Sequence, residues 1–272
     1  MVSFELKGQT AIVTGASSGI GRAIAEAMGA SGAHVVLNGR DADAMAASAK
    51  KIESAGGTST AVVADVRDVA AMRSLVDRAV AETGRLDIFV NNAGVSYLGT
   101  VLGGTPEQWR NMLETNVLAL LVGTQAAVEA MRATGNPGHI VQISSVAALS
   151  PDSGVYGATK HAVNVITNTL RHELIEDPIK VTSIMPGLVA TNIGRNVDPA
   201  IVSGLVAMSG IDVEFVPGER LPDEVLEGAQ AALSEIMIRP EDIASAVMFA
   251  VTQPFGVHIG EIVVRPNKDF DL

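Results

Sequence analysis

The chain has 272 residues and 47% hydrophobic composition, enough for one large core, so residues 1–272 read as a single domain. A formal net charge of -11 and an aromatic content of 3% exclude a basic, base-stacking surface for nucleic acid. Cysteine is absent, which excludes disulfides and thiolate chemistry and fits a reducing, cytoplasmic setting. Glu5 and Lys7 stand where a secretion segment would be apolar, and no run of about 18 apolar residues reads as a membrane span.

In chain order, residues 10–13 form a short apolar strand that ends in a Gly-rich turn, and residues 20–30 read as helix. A second strand at 34–37 is followed by an Ala-rich helix at 41–54, closed by Gly56-Gly57. Strands at 60–64 and 86–90 flank a helix at 69–82, and a long helical region spans 106–131. Then come a strand at 140–143, a helix at 155–174, a strand at 180–184, a helix at 243–251 and a last strand at 259–264. This alternation predicts an α/β, Rossmann-type doubly wound sheet, mostly parallel, with helices on both faces in three layers. Residues 192–238 are irregular and too long for a bare loop, so they are expected to carry short helices as a lid over the substrate pocket.

The first turn reads Thr14-Gly15-Ala16-Ser17-Ser18-Gly19-Ile20-Gly21. Its glycines allow a tight turn and close approach of a pyrophosphate, whose charge suits the free N–H groups at a helix start. At the end of the second strand, Asn38-Gly39-Arg40 replaces the carboxylate that usually binds the ribose hydroxyls of NAD. Arg40 can contact a 2′-phosphate, which favours NADP, while Asp41 and Asp43 suit a helix start. Arg22 is either a further positive charge near the cofactor or a surface residue. Asp65 and Asn91 end the third and fourth strands, as cleft residues or as turn caps.

Tyr156 and Lys160 lie four apart on a helix and share a face. A neighbouring ammonium favours the phenolate, which would equip Tyr156 to give a proton to a carbonyl oxygen or take one from an alcohol. The same spacing also arises from packing beside a snorkelling amine.

Taken together, TGASSGIG at 14–21, Asp65, NNAG at 91–94, Asn116, Ser145, YGATK at 156–160 and PGLVAT at 186–191 resemble the short-chain dehydrogenase/reductase family, in family order over most of the chain. The resemblance implies reversible hydride transfer between a nicotinamide and a carbonyl/alcohol pair, with Arg40 pointing to the NADP-preferring branch. It implies Tyr156 as acid/base, with Lys160 lowering its pKa and holding the nicotinamide ribose. Ser145 would polarise the substrate oxygen, and Asn116 would hold a water in a proton relay. The implied cofactor site comprises Gly15, Ser17, Ser18, Gly19, Ile20, Gly21, Arg40, Asp65, Val66, Asn92, Ala93 and Gly94. To these it adds Tyr156, Lys160, Pro186, Gly187, Val189 and Thr191, with backbone groups of Val189 at the carboxamide.

One departure is the Ser-to-Tyr spacing, two residues shorter than in many members, which makes Ser144 a competing assignment. No metal is called for, and the five histidines, His34, His139, His161, His172 and His258, show no ligand constellation. Specificity is expected from Val95, Ser96, Tyr97, the 147–155 loop and an apolar lid with Leu205, Val206, Met208 and Phe215. Arg195 or Arg220 inside the pocket would clamp a carboxylate; without either, a neutral ketone or secondary alcohol is the better fit. Alternatives are an acyl-chain or polyketide 3-oxo reductase, a dehydrogenase of a small hydroxy acid or β-hydroxy amino acid, and a non-catalytic NADP-binding sensor. Apolar residues in excess on helices 117–131 and 162–174 point, through the resemblance, to a homodimer or homotetramer.

Overall fold

The computed structural model describes residues 5–196, 199–211, 213, 216 and 218–268, without the side chains of Arg195, Leu205 and residues 199–201. Its strands are β1 (Thr10–Thr14), β2 (His34–Gly39), β3 (Thr58–Val63), β4 (Ile88–Asn91), β5 (Gly138–Ile143), β6 (Ile179–Pro186) and β7 (Glu261–Val264). They form one parallel sheet in the order β3-β2-β1-β4-β5-β6-β7.

Alternate residues of one strand feed opposite layers, because strand side chains point to the two faces in turn. Ala11 and Val13 pack with Ile24 and Met28 of α1 (Gly19–Ala30) and with Ile243 and Val247 of α9 (Pro240–Val251). Ile12 between them packs on the other face with Met72 and Val76 of α3 (Val69–Thr83) and Ala127 and Met131 of α5 (Ala119–Thr134). This is the doubly wound, three-layer fold expected from the alternating elements. The order reverses between β1 and β4, and ligands of such sheets bind beyond the strand ends at that point.

Local chemistry sets the helix limits. The Asp41 carboxylate accepts from Ala44 N at 3.0 Å and starts α2 (Ala42–Ser54). Asp68 caps α3 in the same way, and Gly84 ends that helix in the left-handed region at φ 77°. Thr105 and Gln108 form a capping box at the start of α4 (Pro106–Leu113).

The expected helix at 106–131 is not a single α-helix. A π turn at Glu114–Leu118 separates α4 from α5. It contains Asn116, whose side-chain amide is bonded to groups outside the helix, and π turns of this kind recur at functional sites. The stretch Pro106–Thr134 is long and apolar enough to cross a membrane. Its inner face is nevertheless core: Ala126, Ala127 and Met131 are packed against the sheet.

Residues 192–238 carry a 3₁₀ turn (Asn192–Asn196), α7 (Pro199–Ser209) and α8 (Asp223–Ala232), so short helices are present as expected. Val202, Leu221 and Val225 make a small apolar core of their own, with Val206 packed on it. The segment leaves and rejoins the body at a parallel bridge, Val189 with Ile238. Ala190 N donates to Ile238 O at 3.1 Å and Ile238 N donates to Leu188 O at 3.0 Å.

Candidate active site

The turn after β1 needs its glycines for two different reasons. Gly15 and Gly19 adopt positive φ, 68° and 53°. Gly21 is a matter of contact: a Cβ there would lie 2.4 Å from both Gly15 O and Asn92 Nδ2. Ser18 occupies the N-cap of α1 without a side-chain cap bond, so the first N–H groups of α1 stay available to an anion. Across from them, Thr191 Cγ2 comes within 2.9 Å of where a Gly19 Cβ would be.

Gly15, Ser17, Ser18, Gly19 and Ile20 form one wall of a cleft at the switch point. Arg40, Asp65 and Val66 line it beyond β2 and β3, Asn92, Ala93 and Gly94 beyond β4, and Thr191 faces them. Arg67, Thr115 and Ile193 also line it, and the sequence reading missed them. Their only signal was adjacency, since each is one or two residues from a residue that was named.

Other named residues lie elsewhere. Gly21 is beneath the turn. Gly187 N donates to Val264 O at 2.8 Å, and a Gly187 Cβ would lie 3.0 Å from Pro266 Cδ. The close approach that this glycine permits is therefore to the strand behind it, and Pro186 pairs there within β6. The bridge to Ile238 uses the Leu188 carbonyl and the Ala190 N–H, which turns the backbone groups of Val189 to the opposite side.

Strand alternation also corrects the reading of Asn91. Its amide turns away from the cleft and donates to Thr124 Oγ1 at 2.9 Å. Asn92 is the residue that satisfies the turn, donating to Thr14 O at 2.8 Å.

Charge at the rim is paired in an order that the sequence did not show. Arg67 binds Asp65 through Nε and the 2.7 Å Nη2–Oδ2 contact, and these bonds hold the carboxyl below its usual range. Arg40, 60% exposed along its side chain, stands 3.8 Å from the same carboxylate. Arg22 is bound to Asp223 at 2.5 Å. Arg220 is not a substrate-pocket residue: it bonds Asp41 Oδ2 at 2.7 Å and Ser17 O at 3.3 Å, at the far end of the cleft. The side chains of Arg195 and Leu205, and the whole of Phe215, lie outside the described residues. Met208 is exposed and Val206 joins the segment's own core, so neither forms the expected apolar lining.

The candidate acid/base cluster lies beside Gly94. Tyr156 and Lys160 project from α6 (Gly154–Glu173) and are 9% and 3% exposed. The Ser145 hydroxyl lies near enough to the Tyr156 phenol to oppose the rise in its pKa. Ser144 is committed elsewhere, donating to Lys160 O at 3.2 Å, so Ser145 is the serine facing the phenol. The short loop between them is tied by Ser153 Oγ, 2.5 Å from Ala147 O and 2.8 Å from Ser150 O. Gly157 leaves room for that hydroxyl, since a Cβ would fall 1.6 Å from it.

Lys160 Nζ donates to Ile143 O at 2.8 Å and lies 6.0 Å from the centroid of the Tyr156 ring. Burial among Val95 and Met112 pushes the Tyr156 phenol up to about 12, against the lowering effect of the Ser145 hydroxyl. Burial also brings Lys160 down to about 8. The expectation that the ammonium would lower the tyrosine pKa is thus overridden by desolvation, which opposes the charged form of both groups.

Asn116 Oδ1 accepts from Val95 N at 2.9 Å, and its Nδ2 donates to Val95 O at 2.9 Å and Thr159 Oγ1 at 3.0 Å. Its amide is therefore occupied by protein groups. A Cβ on Gly94 would lie 3.4 Å from Asn116 Oδ1 and 3.7 Å from Lys160 Nζ. Gly94 is cleft wall, so the amine stands immediately behind that wall.

His139 is buried, 2.7 Å from Thr182 Oγ1, and its pKa is brought down to about 3 by desolvation. Among the described residues no group of His, Asp and Glu converges on a metal position.

Residues 9–201 match the family model for short chain dehydrogenases. The chain belongs to the short-chain dehydrogenase/reductase family.

Among other members, an uncharacterized oxidoreductase of Methylorubrum extorquens is 39% identical over 79% of this chain and 96% of its own length. A metagenomic short-chain oxidoreductase solved with NADP has a TM-score of 0.73 and 31% identity, covering 96% of this chain and 98% of its own. A dehydrogenase from Beutenbergia cavernae, with NADP at low occupancy, has a TM-score of 0.75 and 32% identity, covering 96% of each chain. As a short-chain dehydrogenase, the protein transfers a hydride between a nicotinamide cofactor and a carbonyl/alcohol pair.

Proposed function

We propose that the protein is an NADP-dependent oxidoreductase that interconverts a neutral carbonyl compound and its secondary alcohol, with Tyr156 as the acid/base. The carrying observation is the Tyr156–Ser145 pair next to a dinucleotide-shaped cleft, with Lys160 directly behind the wall at Gly94. The uncapped start of α1, the glycine turn and exposed Arg40 at the end of β2 fit NADP, which the two structural relatives bind. Gly15, Ser17, Ser18, Gly19, Ile20, Asn92, Ala93 and Thr191 would hold it. When bound, it supplies or accepts the hydride.

Tyr156, neutral at physiological pH with its raised pKa, is set to donate its proton as negative charge grows on a substrate oxygen. Ser145 adds a second hydroxyl at that oxygen, worth more to the developing oxyanion than to the ground-state carbonyl. Lys160 carries the positive charge that stabilises the phenolate left behind. Asn116 fixes Val95 and, through Thr159, the backbone of Tyr156; this supports a positioning role and leaves any held water to its backbone. Pro186 and Gly187 support β6, and Val189 offers backbone groups toward the carboxamide.

Val95, Met112, Tyr97 and Trp109 surround Tyr156 with largely apolar surface, which favours a neutral substrate. With Arg220 elsewhere, a clamped hydroxy acid or β-hydroxy amino acid would depend on Arg195. A reductase of acyl-chain or polyketide 3-oxo groups is the second reading, favoured by exposed Leu98, Leu149 and Leu188 beyond the ends of β4, β5 and β6. A panel of ketones, 3-oxo thioesters and 2-oxo acids, followed by loss of NADPH absorbance, tests these readings. Turnover is expected to be greatest with neutral carbonyls. Tight NADPH binding with no turnover across the panel would leave a cofactor-sensing protein instead.

We further propose a homodimer or homotetramer built on α5, the π turn before it and α6, where Leu118, Leu121 and Val165 are exposed. Light scattering should give the mass of two or four chains, and the mass of one chain would end this reading.

A further inference from the structure

We infer that Arg220, carried by the segment inserted between β6 and α9, is a second 2′-phosphate residue of the cofactor site and acts with Arg40 to discriminate NADP from NAD. The inference rests on the NADP reading above. Three observations carry it.

The first is place. Arg220 does not itself line the cleft but bonds Ser17 O, 3.3 Å away, and Asp41 Oδ2, 2.7 Å away, at its rim. Ser17 and Arg40 are cleft wall, and a Cβ on Gly39 would lie 3.2 Å from Ser17 Oγ. These residues make up the corner at the end of β2, where the adenosine ribose hydroxyls lie in sheets of this kind.

The second is charge. Two carboxylates flank the corner, and an unpaired one would repel a phosphate. Asp65 is held by Arg67. Asp41 uses Oδ1 to cap α2 at Ala44 N, and its Oδ2 is taken by Arg220. Both acids are thereby neutralised by partners other than Arg40, which stays 60% exposed and no nearer than 3.8 Å to Asp65. Arg220 thus removes a repulsion, and a guanidinium has five N–H donors, more than these two contacts use.

The third is support. The next residue, Leu221, is buried, and the Asn192 side chain holds both its N–H at 2.8 Å and its carbonyl at 3.1 Å. Asp223 is tied to Arg22 on α1 at 2.5 Å. Arg220 therefore projects from a backbone held immediately on its C-terminal side.

The test is fluorescence titration of NADPH and NADH binding to the wild type, Arg220→Ala, Arg220→Lys and Arg40→Ala. Arg220→Ala is expected to weaken NADPH at least about tenfold, the scale of one charge-assisted hydrogen bond, and NADH less than about twofold. Arg220→Lys should recover part of the NADPH affinity, and Arg40→Ala should show the same selectivity as Arg220→Ala. Equal losses for both cofactors in Arg220→Ala would make the residue a structural latch only, and unchanged NADPH binding would remove it from the site; either overturns the inference. A wild type that binds NADH as tightly as NADPH would instead overturn the NADP reading itself.

Discussion

Tyr156→Phe is expected to lower kcat for carbonyl reduction about a thousandfold while leaving NADPH affinity within about twofold, since positioned proton donors contribute about 10²–10⁴ in rate. The substitution removes one oxygen and keeps the ring. The packing against Val95 and Met112 is preserved, and Ser145 loses a neighbouring hydroxyl. The loss should fall on kcat rather than on binding, because the proton moves only as the oxyanion forms. Ser145 can still donate to the substrate oxygen but has no neighbour to replenish its proton. Stopped-flow measurement of NADPH consumption alongside equilibrium titration separates the two quantities, and a variant that keeps wild-type turnover removes Tyr156 as the acid.

Lys160→Met should abolish turnover and stabilise the fold, the opposite of what most core substitutions do. The amine is fully buried, and burial alone lowers its pKa from 10.5 to about 8. The sign follows from proton counting: between about 8 and 10.5 the unfolded chain binds a proton that the folded chain does not, so stability rises with pH across that window. Below it, the folded state carries a buried charge at a cost of about 3 kcal/mol. Methionine removes that charge, and losing the bond to Ile143 O offsets about 1 kcal/mol of the gain. A net gain of about 2 kcal/mol corresponds to a rise in Tm of roughly 5 °C in a chain of this size. The advantage should be largest near pH 7 and shrink toward pH 10 as the wild-type amine loses its proton. Thermal unfolding at both pH values checks this; a less stable variant at pH 7 would mean that the ammonium is satisfied in the folded state.

Much of this molecule can be read from residue order. Strand and helix alternation is written in runs such as His34-Val35-Val36-Leu37, because strands buried on both faces must be apolar throughout. Asp41, Asp68 and Gly84 announce helix limits through local chemistry. Ser145, Tyr156 and Lys160 were legible because their motifs name them and the elements that carry them bring them together.

Long-range side-chain pairing was not legible. Arg220 and Asp41 are 179 residues apart, and nothing near either in sequence says that they meet. The tyrosine pKa depends on what three-dimensional packing removes from water, so counting residues along α6 suggested a depressed value where burial raises it. The π turn escaped because nothing near residues 114–118 in sequence marks it, and the partners of the Asn116 amide, Val95 and Thr159, are distant in sequence. Asn91 and Asn92 were distinguishable only once the phase of β4 was known.

The pairing of Val189 with Ile238 has a consequence for how this scaffold diversifies. Leu188 and Ala190 grip Ile238 by two backbone bonds, so the 48 positions from 190 to 237 leave and return through a single fastened neck. Closing a longer excursion adds little entropy, about 0.6 kcal/mol for each doubling of length. Chain length in this insert away from Thr191, Ile193 and Arg220 can therefore change at little entropic cost while the neck, and the cleft wall next to it, keep their geometry.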